Sequence, residues 1–192
     1  MKKLLYIDSC VNRETSRTEE FANALINKIA FGMEDKVEFE ALVLEDLKLP
    51  CFDAQLLAKR DAAIASKDFS DPMFDIVRKF KEADEIIFAA PYWDLSFPST
   101  LKVFIEHMCV NGLTFKYSEE GIPVGLCNAQ KIHYVSTVGG FVGDCNFGYD
   151  YIEAVCRLYF GINESQCYLA QGLDIVGNDP QAILQEAIDK LD

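Results

Sequence analysis

The sequence predicts an α/β domain in which five parallel strands form a doubly wound sheet with helices on both faces. Short apolar runs alternate with helical patterns about five times, and this alternation is typical of parallel strands joined by right-handed crossovers. The length of 192 residues suits one well-buried core. No internal repeat or low-complexity linker divides the chain, so residues 1–192 are expected to form one domain, with strand order 2-1-3-4-5.

The first strand and helix are marked by a buried run and a capping pattern. Residues 3–7 are apolar and lead into polar Asp8 and Ser9, as in a buried strand that delivers a loop at its carboxyl end. Ser16, with Glu19 three residues later, forms a capping box that predicts a helix start. Gly32 is placed to end that helix.

The second and third strands differ in their patterns. Residues 37–41 alternate apolar with acidic residues, which indicates a strand near a sheet edge. Residues 46–71 are less regular. Pro72 then opens a helix that continues to residue 83, and residues 85–90 form the clearest buried strand, which Pro91 stops.

The second half of the chain continues the alternation. The expected elements are a helix over 101–108, a small hairpin or flap over 114–124, strand four at 131–137, a helix over 152–160 that Gly161 closes, strand five at 166–170, and a last helix over 180–191. In such sheets, ligands lie beyond the carboxyl ends of the strands. The loops after strands one, three and four are therefore the candidates for binding.

Composition excludes several functions. The formal net charge of −13 argues against a nucleic-acid partner. The apolar run near the start is too short for a signal peptide or a membrane span, so we expect a cytoplasmic protein. The seven cysteines include no C-x-x-C pair and the two histidines lack metal-ligand spacing, so we expect reduced thiols and no metal.

The loop after strand one lacks both G-x-G-x-x-G and a P-loop. It offers Ser9, followed by Ser16, Arg17 and Thr18 at a helix start, where amides, hydroxyls and a guanidinium could cradle a terminal phosphate. The alternative is that Ser16 only caps the helix and that its neighbours are solvated.

The loops after strands three and four carry aromatic residues and glycines. A planar ring could lie against residues 91–95, although a mobile hydrophobic loop or a dimer contact would have the same composition. Gly139 and Gly140 would let the main chain approach a ligand, and a plain turn is the alternative.

Several ordered blocks together resemble a known family, the flavodoxin-like NAD(P)H quinone reductases, and within it the FMN-dependent NADH azoreductases. The resemblance covers nearly the whole chain. It rests on Ser9 with Ser16, Arg17 and Thr18, on residues 99–102 with Phe104, and on residues 90–95, 112–117 and 137–140.

That resemblance implies FMN as cofactor, NADH or NADPH as co-substrate, and ping-pong two-electron reduction of a quinone or azo compound. It implies a phosphate site at Ser9, Ser16, Arg17 and Thr18, and a ring and ribityl site formed by Pro91, Tyr92, Trp93, Asp94 and Leu95, closed by Thr137, Val138, Gly139 and Gly140. Tyr117 is similar to the family's aromatic flap residue, and a homodimer with its sites at the interface is implied.

Two positions depart from the family pattern. Asp94 stands where azoreductases usually have Asn, and Val138 where they usually have Arg. If Asp94 is ionised beside the flavin, like-charge repulsion would disfavour its anionic reduced form and lower the redox potential. Asp94→Asn would then raise the midpoint potential.

Two other functions stay open. A flavodoxin-like electron carrier would bind FMN without turning over NAD(P)H, although the flap-like insertion resembles the reductases. A flavin-free regulatory protein could share the fold. Among the remaining residues, His133 is expected to be a satisfied core histidine, His107 to have a surface or interface role, and Cys10 to serve in packing.

Overall fold

The fold is organised by a five-stranded parallel sheet. The computed structural model describes residues 1–32 and 36–191. Its strands are β1 (Lys2–Asp8), β2 (Val37–Val43), β3 (Glu85–Ala89), β4 (Phe115–Tyr117), β5 (Pro123–Gly125), β6 (Lys131–Val138) and β7 (Glu164–Gln171). The sheet has the order β2-β1-β3-β6-β7, and all its neighbouring pairs are parallel. With the hairpin strands β4 and β5 left out of the numbering, this corresponds to the expected 2-1-3-4-5.

The sheet separates two hydrophobic cores. Side chains alternate across a strand, so Leu5 and Ile7 of β1 pack in one core while Leu4 and Tyr6 pack in the other. Strand β2 lies at the sheet edge, and of its seven side chains only that of Leu42 is fully buried. The predicted coverage of both faces is therefore confirmed.

The larger core is built around three phenylalanines. Phe80 meets Phe104 and Phe160 edge-on, with ring centroids 6.0 and 5.0 Å apart, and all three side chains are fully buried. Edge-to-face pairs of this kind add to the free energy gained by burying apolar surface. This cluster anchors three helices to one face of the sheet.

The helices are α1 (Arg17–Gly32), α2 (Leu44–Leu47), α3 (Ala54–Ser66), α4 (Asp75–Glu82), α5 (Ser99–Met108), α6 (Tyr149–Val155) and α7 (Pro180–Asp189). The Ser16 hydroxyl accepts a 3.2 Å hydrogen bond from the Glu19 amide, as the capping box predicted. Pro72 opens a 3-10 turn, Pro72–Phe74, which Asp71 caps and which leads into α4. A π-turn at Cys156–Phe160 extends α6 and ends at Gly161, where φ is +77°. Left-handed backbone at a helix end favours glycine.

The segment expected to be irregular contains a helix. Helix α3 begins after Asp53, whose carboxylate accepts a 2.8 Å hydrogen bond from the Leu56 amide. None of its side chains is fully buried, so the segment lacks the apolar stripe by which a packed helix is recognised. The expectation of irregular structure over residues 46–71 was wrong for this reason.

The predicted hairpin is present outside the sheet. Strands β4 and β5 pair with each other in antiparallel fashion. Gly125 of β5 lies against the end of the π-turn so closely that a Cβ atom there would stand 2.2 Å from the Gly161 nitrogen and the Phe160 carbonyl carbon. The hairpin therefore docks through a backbone contact that only glycine allows.

The two histidines have structural roles. His133 is buried in β6 between the Tyr168 hydroxyl, at 3.1 Å, and the Glu85 carboxylate, at 3.3 Å, and this contact lowers the pKa of Glu85. It is the satisfied core histidine that was expected. His107 was expected at a surface or interface, which was wrong, because it is buried in this chain, with its Nε2 atom 2.9 Å from the Pro50 carbonyl.

Candidate functional site

A pocket of about 290 Å³ opens at the carboxyl ends of β1, β3, β6 and β7. Four segments line it: the loop after β1 with the start of α1, the loop after β3, the end of β6, and the loop after β7. The lining residues are Val11, Asn12, Thr15, Ser16, Arg17, Thr18, Pro91, Tyr92, Trp93, Thr137, Val138, Gly139, Leu173 and Asp174. The pocket thus occupies the switch point between the first and third strands, where doubly wound sheets bind ligands.

The wall at the start of α1 is suited to an anion. Arg17 is the first residue of the helix, and the neighbouring Ser16 and Thr18 also line the pocket. Free amides at a helix start and the helix dipole both favour negative charge. Ser16, Arg17 and Thr18 therefore lie on one wall of the pocket, and their role in holding a phosphate stays a prediction.

Ser9 does not line the pocket. Its amide and its hydroxyl both donate to the Ala89 carbonyl, at 3.0 and 2.8 Å, and the residue is buried. These bonds tie the start of the loop to the end of β3. Next to it, burial raises the pKa of the Cys10 thiol and the side chain packs in the second core, as expected.

A hydroxyl pair joins the α1 wall to the β6 wall. The Oγ1 atoms of Thr18 and Thr137 are 2.6 Å apart, and Thr18 is 1% exposed. The buried hydroxyl therefore has its hydrogen-bonding partner on the neighbouring wall, and a buried polar group without one would be costly. This bond fixes the separation of the two walls.

The loop after β3 brings only part of its predicted residues to the pocket. Tyr92 donates its amide to the Thr137 carbonyl at 3.1 Å. Trp93 and Ser96 exchange two main-chain hydrogen bonds of 3.0 and 2.8 Å, which close a turn whose tip is Asp94 and Leu95. Both tip residues are exposed and lie outside the pocket lining, so in the described structure Asp94 does not point into the cavity.

The tip also has an unusual backbone. The φ angles of Asp94 and Leu95 are +49° and +69°. Asp tolerates such a left-handed conformation, whereas it is unfavourable for a bulky residue such as Leu. The turn therefore carries local strain at the pocket rim.

The loop after β7 forms a wall that the sequence did not reveal. The amides of Gly172, Leu173 and Asp174 donate to the carbonyls of residues 140, 138 and 139, at 2.7, 3.2 and 2.8 Å. Leu173 and Asp174 thereby reach the pocket, whereas Gly140 lies outside its lining. The signal that could have found them is the parallel sheet itself, since β7 ends at the same sheet edge as β6.

The charged groups of the pocket form one pair. An Arg17 guanidinium nitrogen lies 2.8 Å from the Asp174 carboxylate, and a second is 3.4 Å from the Leu173 carbonyl. Among the described residues that line the pocket, these two side chains alone are charged. Nearby Arg13 is outside the lining and faces the carboxylates of Asp8 and Glu19 at 3.4 and 3.5 Å.

Tyr117 lies away from this pocket. It is half-exposed on β4, with its ring 5.4 Å from that of Phe115. Phe115 in turn meets Tyr159, which lines a second, mainly apolar cavity of about 480 Å³ between α3, α5 and α6. The described chain does not bring the predicted flap residue to its own pocket.

The residues present fit a ligand with a phosphate at one end and a planar ring at the other. The α1 start supplies amides, hydroxyls and Arg17 for an anion, while Tyr92 and Trp93 supply aromatic surface on another wall. Over residues 1–32 and 36–191, no cluster of three His, Cys, Asp or Glu side chains could hold a metal ion. In the same part of the chain, no helix is long and apolar enough to cross a membrane.

Fold and pocket together define a doubly wound α/β protein whose pocket lies at the strand switch point, with the start of α1 on one wall. A family model described as a flavodoxin-like fold matches residues 2–192. An FMN-dependent NADH:quinone oxidoreductase of Clostridium perfringens is 31% identical over 195 residues, which cover 99% of this chain and 96% of that protein. The chain therefore belongs to the flavodoxin-like family, in the group that contains these NADH:quinone oxidoreductases.

Two further proteins are similar to this chain. FMN-dependent NADH:quinone oxidoreductase 2 of Clostridium acetobutylicum is 43% identical over 116 residues, a match that spans 58% of each chain. The crystal structure of an FMN-dependent NADH-azoreductase from Bacillus anthracis, in complex with FMN, superposes with a TM-score of 0.83 at 22% identity, over all of this chain and 96% of that one. At that identity, the likeness to the azoreductase establishes the shared fold.

Proposed function

We propose that this protein is an FMN-dependent NADH oxidoreductase that reduces quinones or azo compounds. The observation that carries the proposal is the pocket at the strand switch point, which has the α1 start and Arg17 on one wall and Tyr92 and Trp93 on another. The chain belongs to the same group as the Clostridium perfringens oxidoreductase, and this membership supports FMN as cofactor and NADH as the source of electrons.

In this proposal, Ser16, Arg17 and Thr18 hold the phosphate of FMN. Pro91, Tyr92 and Trp93 lie along the ring, and Thr137, Val138 and Gly139 close the other side. Ser9 and Gly140 lie outside the lining and hold the pocket loops in place through their hydrogen bonds. Asp94 and Leu95 would contact the cofactor only at the rim of the pocket. Bound FMN supplies the two-electron chemistry.

The chain's own residues bind and orient the reactants. The side chains that line the pocket are mainly hydroxyl, aromatic and aliphatic groups with one ion pair, and in this proposal they contribute through position and electrostatics. Because one cleft would receive NADH and the acceptor in turn, ping-pong kinetics are expected. Arg17 is the one cation among the described residues that line the pocket, and we assign it to the FMN phosphate. No second cation of this lining is then left for the 2′-phosphate of NADPH, which favours NADH.

The proposal includes a homodimer with its sites at the interface. Large apolar side chains are exposed on the loops around the pocket: Trp93, Leu95, Phe141, Phe147, Ile175 and Val176. Apolar surface concentrated near one mouth is typical of an interaction face. Since Tyr117 lies away from the pocket of its own chain, a second copy would have to supply it as the flap over the flavin.

We also propose that residues 1–192 act as one FMN-binding unit in the cytoplasm, with a small electron acceptor as partner. Scattered reduced thiols suit a reducing compartment. The net charge of −13 is unfavourable for a nucleic-acid partner.

The test is an anaerobic titration of FMN-reconstituted protein, followed by flavin absorbance. NADH is expected to bleach the flavin band rapidly, and a quinone added afterwards should restore it. Bleaching by dithionite but not by NADH would support the electron carrier instead. Failure to bind FMN would overturn the proposal and favour a flavin-free protein with this fold.

A further inference from the structure

The Asp174 carboxylate lies beside Arg17, in the position that a phosphate bound to this guanidinium would take. Asp174 is 2.8 Å from Arg17, and a Cβ atom placed on Gly139 would stand 2.3 Å from its second carboxylate oxygen. The carboxylate therefore lies between the α1 start and Gly139, within the wall of the pocket.

Its position is set by the main chain. The Asp174 amide donates to the Gly139 carbonyl at 2.8 Å, and Arg17 also reaches the Leu173 carbonyl at 3.4 Å. The loop after β7 thus holds both a carboxylate and a carbonyl toward the guanidinium. An anion that binds Arg17 must replace these contacts or share them.

The pair is suited to exchange rather than to stabilising the fold. The side chains of Arg17 and Asp174 are 36% and 64% exposed. Ion pairs at this exposure contribute little to folding stability, because water screens the charges and holding both side chains costs entropy. The contact can therefore open without a large loss of stability.

We infer that Asp174 is a specificity residue that competes with the FMN phosphate for Arg17. This inference rests on the proposed function. In the free protein Asp174 neutralises Arg17, and a bound phosphate takes the guanidinium from it. The competition weakens binding through the phosphate and leaves the contacts of the flavin ring unchanged. The competition also selects against small anions that bind through Arg17 alone, since only a ligand that gains ring contacts as well can displace the carboxylate.

The test compares FMN with riboflavin, which has the same ring and no phosphate. Dissociation constants are measured by quenching of flavin fluorescence for the wild type, Asp174→Asn and Asp61→Asn. Asp61 is the matched control, because it is 60% exposed, pairs with Arg60 at 3.5 Å and lies on α3. Asp174→Asn is expected to bind FMN about tenfold more tightly, because the phosphate then no longer competes with a carboxylate for Arg17. Riboflavin binding should not change, and Asp61→Asn should match the wild type for both ligands.

A second variant tests whether Arg17 carries the effect. In an Arg17→Gln background, Asp174→Asn should tighten FMN binding by much less than in the wild type. An equal gain there, or equal FMN affinity of Asp174→Asn and the wild type, would overturn the inference and leave the proposed function intact. If the wild type binds neither FMN nor riboflavin, the proposed function itself fails and the inference fails with it.

Discussion

The core around Phe80 and the rim of the pocket are held together by different forces. In the core, fully buried rings pack against each other, so its energy comes from apolar burial. At the rim, the walls are joined by main-chain hydrogen bonds, one threonine pair and one exposed ion pair. The difference teaches that folding stability and ligand affinity rest on largely separate residues, which substitutions in the core and at the rim can test.

The largest effect is expected from Phe80→Ala. Removing a fully buried ring that contacts Phe104 and Phe160 should lower the free energy of unfolding by about 3–5 kcal/mol, because a cavity is left behind. Urea denaturation measures this loss. FMN affinity of the folded protein should stay within about twofold of the wild type. Phe31→Ala is the control, because that side chain is 91% exposed, and an equally large loss there would break the comparison.

Gly125→Ala tests a contact outside both regions. The new Cβ would overlap backbone atoms of Phe160 and Gly161, so we expect a loss of about 1–3 kcal/mol from overpacking. Relative to the wild type, the variant should show a larger increase in the rate of amide hydrogen exchange in the hairpin than in β1. The control is Gly143→Ala, where no atom lies within 4 Å of the added Cβ. Unchanged protection of the hairpin would contradict the docking contact.

Thr137→Val acts on the rim itself. It leaves the buried Thr18 hydroxyl without its partner, at a cost of about 1 kcal/mol in unfolding free energy. FMN affinity should fall more than it does in Phe80→Ala, because the wall moves. The double variant Thr18→Val with Thr137→Val should be less unstable than the sum of the single losses, since both polar partners are then removed. Strict additivity would argue against the bond.

The smallest effect is expected at the strained turn. Leu95→Asn should raise the free energy of unfolding by about 0.5–1 kcal/mol, because Asn tolerates left-handed backbone better than Leu. Leu57→Asn on α3 is the matched control, and it should give no gain, because its helical backbone carries no such strain. A gain in both variants would point to a general effect of polar substitution.

The sequence predicted the sheet well because its three central strands are buried on both faces. The apolar runs that became β1, β3 and β6 report burial directly, and parallel pairing then places their loops at one edge. Nine of the thirteen predicted binding residues line the pocket for this reason, and the four that do not are Ser9, Asp94, Leu95 and Gly140.

What the sequence did not predict depends on distant contacts. Asp174 reaches the pocket through main-chain bonds to residues some 35 positions earlier, and no local motif encodes them. His107 is buried by the segment around Pro50 and Phe52, more than 50 residues away in the chain. Helix α3 leaves no buried stripe to detect. Local patterns report local burial, and these features arise only when separate segments meet.

The main-chain bonds within and between the pocket loops have a thermodynamic consequence. Tyr92 is tied to Thr137, Gly172 to Gly140, and Trp93 to Ser96, so these loops lose their conformational freedom when the chain folds. A ligand that enters then meets walls that are already ordered, and association need not include that entropy loss. Binding should accordingly be fast and accompanied by little change in backbone order, which makes dissociation the step through which affinity is tuned.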